Sequence, residues 1–317
     1  MEMKQIMKRL GIMLLTLCLL VGMVGCGSSG SSSDANRQDA EKIKEDNQSA
    51  EGSSEVASTE AEVKVTKHTE YPLTITTYDN QGNEIETTYK KAPEKVVAVY
   101  QGCIETMLAL GLEDRLVATA GLDNKVPDEL KEAFSKTNYL DEFTPSKETI
   151  TMLEPDMIFS WGSLFNDDNL GNVTNWIDKG CNTYYNSNTR PSADGATVKK
   201  TIENEYTDIL NIGKIFDVQD KAEALVKEIK AIIDKTQEST ADMTEKPSVM
   251  ILEPHGDEIS NYGANTLGGD MVTTLGGTLA NPDASTVGKE DIVAANPDVI
   301  FVVYMPYAGD DPETVKN

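Results

Sequence analysis

The chain is poor in cysteine and histidine, with four of the first and two of the second in 317 residues. Four cysteines over this length are too few for a disulfide scaffold, and two histidines too few for a histidine-rich metal cage. Positive charge is also scarce: 28 Lys and Arg stand against 53 Asp and Glu, a formal charge of −25. Such a surface repels phosphate backbones and leaves no basic stripe to follow one, which argues against nucleic acid as a partner. The one long apolar run, residues 11–24, is shorter than the ~20 residues that cross a bilayer. What is present, 39% hydrophobic and 26% charged residues, suffices for a sizeable core, and the length suggests two compact units.

Lys4, Lys8 and Arg9 precede that apolar run, which meets Cys26. A charged segment followed by a short apolar one reads as an export signal over residues 1–25. Met23-Val24-Gly25-Cys26 resembles a bacterial lipobox, although that pattern prefers Leu where this chain has Met23. The resemblance implies that Cys26 is lipidated and holds the protein on the outer face of the cell membrane, since more than one acyl chain on a residue gives stable attachment. Residues 26–68 are Gly- and Ser-rich and then acidic, a composition that cannot offset the entropy of ordering. They read as a tether with a coil reach of roughly 35 Å.

From residue 69 the pattern changes. Residues 71–89 place Thr- and Ile-rich runs on either side of Asp79-Asn80-Gln81-Gly82-Asn83, a hairpin signal. Short apolar runs at 95–100, 116–120, 157–160 and 183–185 alternate with helix-like or polar stretches, as in a parallel α/β sheet. Ala222, Leu225, Val226, Ile229, Ile232 and Ile233 keep helical spacing, which predicts one long amphipathic helix in mid-chain. Strand-like runs resume at 249–252, 271–275 and 299–303.

An internal repeat organises these pieces. Glu148, Ile150, Pro155, Asp156, Ile158 and Phe159 return as Glu290, Ile292, Pro297, Asp298, Ile300 and Phe301, each offset by 142. Proline cannot continue a helix and extends the residue before it, so each copy reads as short helix, Pro-Asp stop and buried strand. The period is too long for a solenoid. The expected fold is therefore α/β, with two Rossmann-like lobes of parallel sheet joined by the long helix, and a small N-terminal β-hairpin. The first lobe is expected at 69–195, the interlobe helical segment at 196–246 and the second lobe at 247–317. The second lobe reads as C-terminally truncated, because only sixteen residues follow Phe301.

These features together resemble the ferric-siderophore and cobalamin class of ABC-importer substrate-binding proteins. The carriers are residues 95–100, Leu110-Gly111-Leu112-Glu113-Asp114-Arg115-Leu116, both Glu-x-Ile-x-x-x-x-Pro-Asp-x-Ile-Phe copies and the lipobox. The resemblance implies a monomeric binding protein, not an enzyme, that holds its ligand between the lobes and passes it to a membrane permease. It also implies that Glu148 and Glu290 meet arginines of that permease. A glutamate in the first turn of a helix is locally favoured and free to meet a partner's charge.

Ligands of open α/β sheets meet the loops beyond the carboxyl ends of strands. Read after each apolar run, the candidates are Tyr100, Gln101, Trp161, Tyr185, Arg190, His255, Tyr304 and Tyr307. Aromatic side chains offer rigid apolar area with a polar tip, and Arg190 could clamp an anionic oxygen. The expected ligand is an iron-siderophore complex that itself carries the Fe3+, with a corrinoid such as cobalamin or a haem as alternatives; no resident cofactor or metal is expected. Zinc- or manganese-binding relatives use several histidines where only His255 is at hand, and Glu253 with His255 is the one acid/base pair that a cleft enzyme could use. An adhesive or structural lipoprotein is the remaining alternative. Trp176 falls within a helical pattern and reads as core. His68 is assigned to the tether. Cys103 follows the first strand-like run and Cys181 precedes the run at 183–185, roughly 15 Å apart by strand rise, so both are expected as free thiols.

Overall fold

The computed structural model describes residues 67–193, 197–255 and 258–303. The leader, Cys26, most of the tether, Tyr304 and Tyr307 lie outside the described residues.

Strands β1 (Leu73–Tyr78) and β2 (Glu84–Tyr89) form the expected antiparallel hairpin, with Leu73 opposite Tyr89. Asp79 closes its turn by accepting the backbone N–H groups of Gln81 and Asn83 on Oδ1. The first lobe follows: β3 (Val96–Val99), α1 (Gln101–Ala109), β4 (Leu116–Ala120), α2 (Lys131–Phe134), α3 (Lys147–Leu153), β5 (Met157–Ser160), α4 (Val173–Asp178) and β6 (Asn182–Tyr185). Its four strands are all parallel, in the order β4-β3-β5-β6. Strands β3 and β5 are buried throughout, as continuous apolar runs covered on both faces should be. Successive residues point to opposite faces. Val96, Ala98, Met157 and Phe159 accordingly enter one core cluster, whereas Val97, Val99 and Ile158 enter the other.

Two helices follow, α5 (Ile202–Ile215) and α6 (Gln219–Thr240). The second contains the expected apolar spacing, is 22 residues long and extends ~33 Å. It buries Ala222, Val226 and Ile233. The helices cross closely at Gly213, where an added Cβ would fall 2.4 Å from that of Ala222.

The second lobe comprises β7 (Ser248–His255), β8 (Glu258–Asn261), α7 (Leu267–Thr274), β9 (Thr278–Leu279), β10 (Thr286–Val287), α8 (Lys289–Ala295) and β11 (Val299–Val302). Strand β11 runs parallel to β7, but β8 is antiparallel to β7, and β10 to β8. This sheet is therefore mixed, not purely parallel as expected. A second correction concerns residues 271–275, read as a strand. Met271–Thr274 close helix α7, whose N-terminus Thr266 caps by accepting from the Gly269 N–H. Five apolar and β-branched residues fit either period, and the cap lies upstream of the run. Helix α7 leans on α5 and α6: Asp270 accepts from the Ile202 N–H at 2.9 Å and pairs with Lys199, and Gln237 donates to the Thr274 carbonyl at 2.8 Å.

The repeat is structural as well as sequential. Helix α3, its left-handed cap Glu154 (φ 48°) and β5 reappear at an offset of 142 as α8, its left-handed cap Asn296 (φ 44°) and β11. The copies differ in cover. Strand β5 is buried, whereas Val299, Ile300 and Val302 of β11 are 37%, 44% and 36% exposed, and among the described residues β11 pairs with β7 alone.

Candidate functional site

All four strands of the first sheet end along one edge, because they are parallel. Loops leaving that edge hold Tyr100 after β3, Gly121 to Asp123 after β4, Trp161 after β5 and Asn186 to Arg190 after β6.

Tyr100 and Trp161 come together there. Their rings stack with centroids 3.7 Å apart and planes at 29°, and the 44%-exposed Phe143 meets Tyr100 edge-on at 5.7 Å. Both stacked residues are half-buried. Tyr100 adopts φ 89°, ψ 149°, a region that a bulky L-residue occupies only at a cost. Its backbone is held on both sides, by its N–H to the Ala120 carbonyl at 2.9 Å and by the Ile104 N–H to its own carbonyl at 3.1 Å. Gly121 permits the approach: with φ 78°, an added Cβ would come 3.2 Å from the Tyr100 nitrogen. Strained backbone fixed from both sides clusters at binding sites.

Asp123, which sequence reasoning missed, belongs to this edge. Burial pushes its carboxyl up from the usual carboxylate range, and a hydrogen bond from Tyr100 partly opposes that. Its Oδ1 is buried without a partner. No local pattern marks such a residue, since it is a loop aspartate brought to Tyr100 only by the neighbouring strand.

Three of the sequence candidates make contacts within the protein. Gln101 is buried, donating to Glu105 and accepting from the Asn124 N–H at 3.1 Å, so it ties α1 to the loop after β4. Tyr185 is 3% exposed. Its hydroxyl donates to the Asp79 carbonyl at 2.7 Å, and its ring lies beneath Gly162, where an added Cβ would be 3.0 Å away. It supports the loop that carries Trp161. Adjacent strand residues face opposite ways, and Tyr184 accordingly enters the other cluster, donating to Asp208 at 2.8 Å. Arg190 lies on the edge, but its guanidinium covers the Tyr78 ring at 4.5 Å and its Nε is buried without a partner. The Gly162 N–H donates to Thr189 Oγ1 at 2.8 Å, which joins the Trp161 and Arg190 loops.

In the second lobe, His255 ends β7 and is exposed, with Nε2 3.6 Å from Glu253 Oε2. That oxygen accepts the Tyr262 hydroxyl at 2.6 Å. Glu148 and Glu290 occupy the second position of α3 and α8 and are both exposed. Trp176 is a core residue, donating to the Leu170 carbonyl at 2.7 Å. His68 does more than extend a tether: its Nδ1 lies 3.2 Å from Asp217, beside the Thr69 N–H on the same carboxylate. Cys103 and Cys181 are free and buried, in separate core clusters.

Residues 96–317 match the family model described as periplasmic binding protein. The chain belongs to the periplasmic binding protein family. A family member of known structure from Veillonella parvula DSM 2008 is 31% identical, with a TM-score of 0.66 over 75% of this chain and 74% of that one. Among curated relatives, the ABC transporter substrate-binding lipoprotein YvrC of Bacillus subtilis (strain 168) is 25% identical over 92% of this chain and 80% of its own length. The petrobactin-binding protein YclQ of the same organism is 29% identical over 72% of this chain and 68% of its own. The family resemblance seen in the sequence is thus borne out, as are the α/β fold and the N-terminal hairpin.

Proposed function

We propose that this protein captures an iron-siderophore complex between its lobes and delivers it to an ABC importer permease, without making or breaking a bond in the ligand. The observation that carries the proposal is the Tyr100–Trp161 stack at the carboxyl edge of the parallel sheet, backed by a strained, doubly anchored backbone. A rigid aromatic platform there suits a bulky chelate. The petrobactin-binding relative supports an iron-siderophore ligand. Lipidated Cys26 would hold the protein on the outer face of the cell membrane, and the lipoprotein relative supports that placement. Glu148 and Glu290, equivalent and exposed on the two lobes, would meet the permease. Tyr304 and Tyr307 follow β11 in sequence and would add to the ligand contacts from the second lobe.

Tryptophan fluorescence tests this reading, because the chain has two tryptophans and Trp176 is buried in the core. The full chain is titrated with ferric hydroxamate, ferric catecholate, cobalamin and haem. Saturable quenching by a ferric siderophore, absent in Trp161→Phe with the fold retained, is the expected result. Quenching by cobalamin or haem alone would replace the siderophore with that ligand, and silence toward all four would remove the transport reading.

A further inference from the structure

The register of the two sheets makes Tyr100 and Glu253 equivalent. Val96 of β3 pairs with Met157, and Val249 of β7 pairs with Val299. Met157 and Val299 are repeat partners, so Val96 corresponds to Val249 and Tyr100 to Glu253. Each of these places brings a tyrosine and a carboxyl together, with the roles exchanged: Asp123 beside Tyr100 in the first lobe, and Glu253, which accepts the Tyr262 hydroxyl at 2.6 Å, in the second.

A tyrosine hydroxyl donates one proton, whereas a carboxylate can accept about four hydrogen bonds. Both carboxyls therefore have acceptor capacity to spare. Asp123 Oδ1 is buried with no partner, and the 3.6 Å from His255 Nε2 to Glu253 Oε2 is too long for a hydrogen bond. An unsatisfied buried acceptor is costly and calls for a cause. Cations are few on the same loops. Among the described residues they are Lys125, Arg190, Lys199, Lys200 and, when protonated, His255; the Arg190 guanidinium is committed to the Tyr78 face and Lys199 pairs with Asp270. A strongly anionic complex would meet two carboxyls with little to offset them, and the chain's charge of −25 acts in the same direction.

We infer that the ligand presents ammonium or N–H donors on a neutral or cationic complex, and that Asp123 from one lobe and Glu253 from the other receive them. This rests on the siderophore reading above and names the ligand's chemical class.

The test compares three ferric probes on the full chain by fluorescence: a trihydroxamate with a free terminal amine, the same compound with that amine acetylated, and a tris-catecholate, which is strongly anionic. The amine-bearing probe is expected to bind about tenfold more tightly than its acetylated twin, the scale of one charge-assisted hydrogen bond. Asp123→Asn and Glu253→Gln should each narrow that gap. Equal affinity for the two hydroxamates, or tightest binding of the catecholate, would overturn the inference while leaving iron transport standing. Binding of none of the three would instead overturn the siderophore reading.

Discussion

Asp156 and Asp298 make the same clip in the two lobes. The Asp156 N–H donates to the Lys95 carbonyl at 2.9 Å, and its carboxylate accepts the Lys95 N–H at 2.9 Å. The Asp298 N–H donates to the Ser248 carbonyl at 2.8 Å, and its carboxylate accepts the Ser248 N–H at 2.8 Å. Each clip sits where the repeat's strand begins beside its parallel neighbour, and so sets the register that aligns the strand ends at the site. Asp156 also accepts from the Glu94 N–H at 2.9 Å. Removing either carboxylate leaves exposed backbone donors to water, so Asp156→Ala and Asp298→Ala should each destabilise by about 0.5–1.5 kcal/mol, the net worth of a hydrogen bond. Urea unfolding monitored by circular dichroism measures this, and unchanged midpoints would show that neither clip contributes.

Tyr100 separates strain from contact. Its positive φ penalises any residue with a Cβ by about 1–2 kcal/mol, whereas glycine takes it freely. Tyr100→Ala should lose the ring stack and keep the strain; Tyr100→Gly should lose the stack and relieve it. The glycine variant is therefore expected to be the more stable of the two by thermal melting, with ligand quenching weakened in both. An alanine variant as stable as the glycine one would mean that the backbone there is unstrained.

Much of this was legible in the chain because it is written in spacing. The repeat at offset 142 gives both clips and both helix-strand units, and the spacing from Ala222 to Ile233 gives the long helix. What was not legible depends on which face or which loop a residue joins. Tyr184 and Tyr185 are alike in sequence, yet one goes to each side of the sheet and neither opens on the edge. The antiparallel strands β8 and β10 are four and two residues long, too short to carry a period. Asp123 and Asp208 are ordinary polar residues in a loop and a helix, and only tertiary packing buries a carboxyl oxygen of the one and nearly all of the other.

Asp208 gives the stability a pH dependence. It is 2% exposed and accepts from Tyr184, from the Ser187 hydroxyl and from the Ser187 N–H. Burial above all, with the nearby Glu205 adding, pushes its carboxyl from 3.8 up to about 7. The folded state then holds a proton that the unfolded state has released, so stability contributed by this group falls as pH rises from about 4 to about 7. The full difference has an upper bound of about 4 kcal/mol. Asp208→Asn should flatten this part of the curve of melting temperature against pH, and Glu205→Gln should move its upper limb to lower pH. A wild-type curve that does not differ from that of Asp208→Asn would show that Asp208 titrates normally.

Glu148 and Glu290 separate docking from binding. Both are exposed in the first turn of equivalent helices. Their favourable interaction with the helix N-terminus is about 0.3–1 kcal/mol each, so charge reversal should cost little fold stability. In the proposed docking the same reversal would turn attraction to permease arginines into repulsion, slowing encounter and weakening the complex together. Glu148→Arg with Glu290→Arg should therefore abolish uptake of labelled ligand in cells while the purified variant still quenches with wild-type affinity. Each single reversal should leave partial uptake, because the other lobe still docks. Uptake intact in the double variant would confine both glutamates to starting their helices.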